Sequence, residues 1–147
     1  MTLYAVCFAE SIEDEELISV VEARTEEDAI HHHFRKFLYK SDIVRGMIVD
    51  PSYEGFFCSY FDVEDFKEFE EIFSAVPSLV QFMKTTFEIY TEAEEKKGSI
   101  SSALVRERAK LLTSEMCLAV ANFLIEVDAL DSYAGDAIVT EVEIETA

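Results

Sequence analysis

The sequence predicts an α+β fold: a small antiparallel sheet, made of an N-terminal hairpin and a C-terminal strand, with about four helices, in the order β-β-α-α-α-α-β. Three observations carry this. β-forming residues fill 2–9 and 17–23 around an acidic turn, strict alternation returns at 137–145, and helical periodicity dominates between them. A chain of 147 residues fits a single domain able to bury a core. Twelve Phe and six Tyr supply that core, since each buried ring removes roughly 150–250 Å² from water.

Residues 2–9 (TLYAVCFA) and 17–23 (LISVVEA) read as the hairpin, joined by an acidic turn that holds Glu13, Asp14, Glu15 and Glu16. Thr25 stands three residues before Asp28 and caps the first helix, with Glu26 and Glu27 placed well for the helix dipole. Ile30, Phe34, Phe37 and Leu38 form its stripe against the hairpin. Between Tyr39 and Phe61 the pattern breaks at Gly46, Pro51 and Gly55, with a turn at 49–55 and short extended pieces at 46–49 and 56–60. Asp62 then caps a helix reaching Ala75, which turns Val63, Phe66, Phe69 and Phe73 inward and Glu64, Glu68 and Glu71 outward. Pro77 ends it.

Ser78 opens a third helix with Leu79, Val80, Met83, Phe87 and Tyr90 as its buried stripe, stopping at Gly98. Ser99 or Ser101 starts a long helical stretch to Leu130, with a break near Thr113 and Ser114. Residues 116–130 are apolar nearly all round, so this part belongs in the interior or across a homodimer seam. A turn at 131–136 leads to the last strand, where Ile138, Val142 and Ile144 point one way and Glu141, Glu143 and Glu145 the other.

The 31 acidic residues against 12 basic ones give a formal charge of -19. Such a field repels nucleic acid and anionic membrane from most of the surface, and it speeds association with basic surfaces. Disordered acidic chains lack this aromatic content, so the charge forms a shell around a packed interior. Cys7, Cys58 and Cys117 are odd in number and widely spaced, which fits reduced thiols better than a disulfide framework. With no basic n-region, no signal-peptide core and no apolar stretch near 18 residues, a soluble cytoplasmic protein is expected.

Little points to chemistry. His31, His32 and His33 are adjacent, about 100° apart on a helix, so one face cannot present all three to a metal. Ion pairs with Glu27 and Asp28 at i, i+4 are the simpler expectation. Glu126 and Asp128 interrupt the apolar last helix and are the best carboxylates for acid–base work, although exposure at the helix end explains them as well. Cys58 has acidic neighbours, which raise a thiol pKa. The phosphate-binding and nucleophile-elbow motifs are missing. We therefore expect no catalysis, cofactor or metal. Basic residues crowd two segments, Arg35, Lys36, Lys40 and Arg45, then Arg106, Arg108 and Lys110; the first is expected to pair with acidic elements of the chain, with contact to an acidic site on a partner as the competing reading.

The acids carry the most content. Alternate glutamates on a strand stand roughly 6.6–6.8 Å apart, comparable with phosphates along one nucleic-acid strand. Glu141, Glu143 and Glu145 form one such row, Glu64, Glu68 and Glu71 a second, and residues 13–16 a cluster. A basic groove that neutralises phosphates would gain the same contacts from these rows. A solvated face that keeps the protein in solution is the alternative.

Small size, a folded core and extreme acidity together make the chain similar to the DNA-mimic inhibitors encoded by phages and mobile elements, including anti-restriction and anti-CRISPR proteins. The likeness is one of composition over the whole chain, and no motif carries it. It implies a stoichiometric blocker that occupies the nucleic-acid channel of an enzyme. An adaptor that dimerises through residues 116–130 is the competing expectation.

Overall fold

A computed structural model describes residues 1–9, 17–52 and 55–143; the side chain of Val63 is outside the description. Of the residues singled out above, Glu13, Asp14, Glu15, Glu16, Tyr53, Glu54, Ile144 and Glu145 lie outside the described residues. In chain order the elements are β1 (Thr2–Phe8), β2 (Ser19–Ala23), α1 (Glu26–Lys40), α2 (Asp42–Val49), α3 (Phe56–Tyr60), a 3-10 turn (Val63–Asp65), α4 (Phe66–Ile72), α5 (Pro77–Glu95), α6 (Ser102–Lys110), α7 (Ser114–Glu126), α8 (Leu130–Ala134) and β3 (Ala137–Glu141). The class is the α+β one expected, yet the described residues hold eight α-helices where four were expected. The chain forms two compact units, one of residues 1–41 with 120–147 and one of residues 42–119.

In the first unit the sheet order is β2-β1-β3, with both pairings antiparallel. Tyr4, Val6, Ala23 and Ala29 form a core cluster, against which Val21, Ile30 and Val139 pack. The Thr25 hydroxyl accepts from the Asp28 amide at 3.1 Å, which fixes where α1 starts. Phe34, Phe37 and Leu38 are buried along α1, as its periodicity predicts.

The last strand corrects the predicted faces. Val6 pairs with Val139 and Tyr4 with Glu141, so the odd-numbered residues of β3 share the face of the core cluster. Ile138 pairs with Cys7 on the other face and is 40% exposed. A side-chain period of two leaves two possible assignments, and the register selects the one that packs the partly buried Val139 against the core cluster.

The second unit is built on rings. Phe57, fully buried, lies 4.6 Å from Phe87, 5.3 Å from Phe61 and 5.3 Å from Phe69, centroid to centroid. Pairs in this range contribute about 0.5–1.5 kcal/mol each beyond burial. Phe56 and Phe57 are adjacent and both buried, which a half-buried strand would not allow, so 56–60 is helical instead of extended. Residues 46–49 are also helical. Val44 and Ile48 stand one turn apart and bury together with Val49, overriding the β-branched run.

The helix predicted from Asp62 to Ala75 is broken. Asp65 sits at φ -113, ψ 42, outside the α region, so a 3-10 turn precedes α4. Pro77 begins α5, where its missing N–H costs nothing, and does not merely end the helix before it.

The expected long C-terminal helix is three helices, the first capped by Ser101. α5 and α7 both end in Schellman motifs. Gly98 N–H donates to Ala93 O and Lys97 N–H to Glu94 O; Ala129 N–H donates to Leu124 O and Asp128 N–H to Ile125 O. Lys97 (φ 52) and Asp128 (φ 54) therefore take left-handed positions usually held by glycine. Gly55 is required by sterics, because a Cβ there would lie 1.7 Å from the Asp50 carbonyl oxygen.

Candidate partner-binding surfaces

The helical acid row belongs to the second unit. Phe69 is fully buried and lies 4.6 Å from the Phe73 ring, which fixes one side of α4 inward and leaves Glu68 and Glu71, one turn apart, exposed on the other. Glu64 is exposed too, but it projects from the 3-10 turn, so the row is a helical pair extended by a turn residue. None of the three has an ion pair or hydrogen bond among the described residues. The tertiary cation of this region is taken by Glu70, which Lys84 Nζ approaches at 2.9 Å.

The strand row belongs to the first unit. β3, an edge strand of the sheet, ends at Glu141, short of the expected 137–145, so Glu141 closes the strand and Glu143 lies past it; both are exposed. Charged side chains on an edge also discourage pairing with another strand.

Of the three histidines, His31 approaches Glu27 at 3.8 Å, as the i, i+4 spacing predicts. His33 is the surprise. It is 1% exposed, its Nδ1 lies 2.6 Å from the Ser19 hydroxyl, its Nε2 has no partner among the described residues, and the Phe8 ring centroid is 5.1 Å away. Burial, then the positive charges of Lys36, His32 and Lys40, lowers its pKa to about 4. The ring is therefore neutral at pH 7. Its neighbours His31 and His32 carry the same letter, so sequence could not tell which of the three goes inside.

In the first basic segment the described contacts of Arg35 and Arg45 go to neutral groups. Arg35 Nε donates to Asn122 Oδ1 at 3.0 Å. Arg45 donates to the Ala109 and Leu112 carbonyls at 3.1 and 2.8 Å, a cation on the C-terminal end of α6. Arg108 Nη2 reaches Phe82 O and Thr86 Oγ1, and its guanidinium carbon lies 4.4 Å from the Phe82 ring centroid. Its Nε has no partner among the described residues, and burial lowers its pKa.

The residues weighed for chemistry sit apart from one another. Glu126 and Asp128 are exposed, and Asp128 serves as the left-handed residue that ends α7. Cys58 Sγ donates to Pro51 O at 2.6 Å, and burial, then the Asp50 charge, pushes its thiol pKa up, away from thiolate reactivity. Among the described residues no group of three or more His, Cys, Asp or Glu side chains could hold a metal. None of their helices is long and apolar enough to cross a membrane. α7 is less uniformly buried than its composition predicts. Met116, Cys117, Val120, Ala121 and Leu124 are interior, while Leu118 is 44% exposed and Val127, just past the helix end, 43%.

The chain matches no protein-family model, and neither a curated protein nor a solved structure matches it.

Proposed function

We propose that the protein is a non-catalytic acidic binder that occupies the basic nucleic-acid groove of an enzyme, in the manner of anti-restriction and anti-CRISPR nucleic-acid mimics. The observation that supports this reading is the state of Glu64, Glu68 and Glu71. They are exposed and pair with no cation among the described residues, on a segment held by the buried Phe69. Carboxylates left unpaired and held in place bind a basic groove without first breaking an internal ion pair, and their repulsion in the free protein is relieved on binding. Glu141 and Glu143 add a second short row on the first unit. Glu13, Asp14, Glu15, Glu16 and Glu145 complete the proposed contact set. The adaptor reading is weaker, because α7 turns its largest apolar stripe into its own chain.

The test is retention of a nucleic-acid-binding protein from host lysate on the immobilised protein, washed at low and at high salt. The reading predicts retention at low salt, release at high salt, and loss of retention when Glu64, Glu68 and Glu71 are changed together to Gln. Retention indifferent to salt and to these changes would overturn it.

A further inference from the structure

The second unit carries another surface, of opposite character. On α2, Ile43, Gly46 and Met47 fall on one face at i, i+3 and i+4; on α6, Val105 and Ala109 fall on one face at i and i+4. The Arg45 hydrogen bonds to the α6 end hold these two helices together. Between them lies a hollow of about 690 Å³, which continues past Met47 to Tyr90 as a second of about 420 Å³. Ile43, on its rim, is 75% exposed.

Gly46 is the telling residue. It sits in the interior of α2, where alanine would be the better helix former. A Cβ added there meets nothing within 4 Å, so nothing among the described residues requires glycine. What the missing side chain does provide is bare helix backbone at the floor of the hollow. Two helical ridges with a small residue between them form a seat for a third helix.

The charge at the rim names the sign of the occupant. Arg106 and Lys110 line the α6 side, and neither has a hydrogen bond or ion pair among the described residues, in a chain with 31 acids. Asp42 lines the opposite rim. We propose that this groove binds an amphipathic helix of a partner protein, with its apolar face over Gly46 and its carboxylates toward Arg106 and Lys110. This surface is separate from the acid rows and reads the opposite charge.

Two acetylated, amidated peptides of about 18 residues, long enough to form an amphipathic helix on docking, test it. Both carry one leucine face; one has glutamate and the other lysine at every polar position. The proposal predicts that the glutamate helix shifts the amide resonances of Gly46, Val105 and Ala109, and that binding weakens about tenfold or more in Arg106→Glu/Lys110→Glu. Gly46→Met, which plugs the floor, is expected to abolish it. Gly46→Ala is the folding control and should melt at a higher temperature than the parent. The Glu64/Glu68/Glu71→Gln variant should bind the glutamate helix undiminished, so failure of the mimic reading and of this one are distinguishable. Shifts away from the groove, equal binding of the lysine helix at Gly46, or indifference to Gly46→Met would overturn the proposal. Self-association that Gly46→Met abolishes would overturn it too, by making the occupant a second copy of the chain.

Discussion

Each unit draws a basic side chain inward, fully buried in the first and half-buried in the second, and they hold it in different ways. In the first, His33 is closed in by Phe8 and Phe37 with a single hydroxyl partner. In the second, Arg108 keeps two acceptors and an aromatic face under its guanidinium. An imidazole can be buried by shedding its proton, whereas a guanidinium stays charged and must be solvated by the fold. The first arrangement makes stability depend on pH; the second makes it depend on local geometry.

The largest effect expected is at neither site but in the ring cluster that supports α4. Phe57→Ala should destabilise the protein by about 3–5 kcal/mol, read from urea unfolding, because it removes a fully buried ring with several aromatic neighbours. A loss under about 1 kcal/mol would mean that the cluster is loosely packed.

Acid comes next. His33 has a pKa of about 4 in the folded state and an ordinary value of 6.5. The unfolded chain therefore binds more protons between those pH values, and stability falls as pH drops through that window. The full loss is on the order of 3 kcal/mol and is complete near pH 4. His33→Leu should flatten this part of the pH–stability curve; an unchanged slope would refute the assignment. Arg108→Ala should be milder and independent of pH from 5 to 8, at about 1–2 kcal/mol for the lost hydrogen bonds and cation–π contact. A cost that varied with pH there would blur the contrast between the two units. The smallest change is a gain. Asp128→Gly should stabilise by about 0.5–1 kcal/mol, read from thermal melting, because Asp128 holds φ 54. No gain would mean that the Asp128 carboxylate does something at the end of α7.

Much of the frame was legible in the residues. The hairpin, the Thr25 cap, the α1 stripe and the closing strand follow from local pattern, and the sheet order agrees. What was hidden depended on partners distant in sequence. Residues 46–49 and 56–60 look extended by composition, but the ring cluster and the α2–α6 contact make them helical. Alternation fixes the period of β3 and not its phase, and the register puts Val139 on the core-cluster face with Ile138 on the other. Of the acid row, exposure was legible and the kink at Asp65 was not, since nothing in VED marks where a 3-10 turn gives way to α-helix. The single buried histidine among three could be recognised only once Ser19 and Phe8 were beside it.

The central claim is that unpaired surface carboxylates compete for a basic nucleic-acid site. Its most direct test is binding of the retained partner to its own nucleic acid, titrated with this protein and with the Glu64/Glu68/Glu71→Gln variant at two salt concentrations. The account predicts stoichiometric displacement by the parent, weakened by salt and lost or strongly reduced in the variant. Equal displacement by both proteins would contradict it.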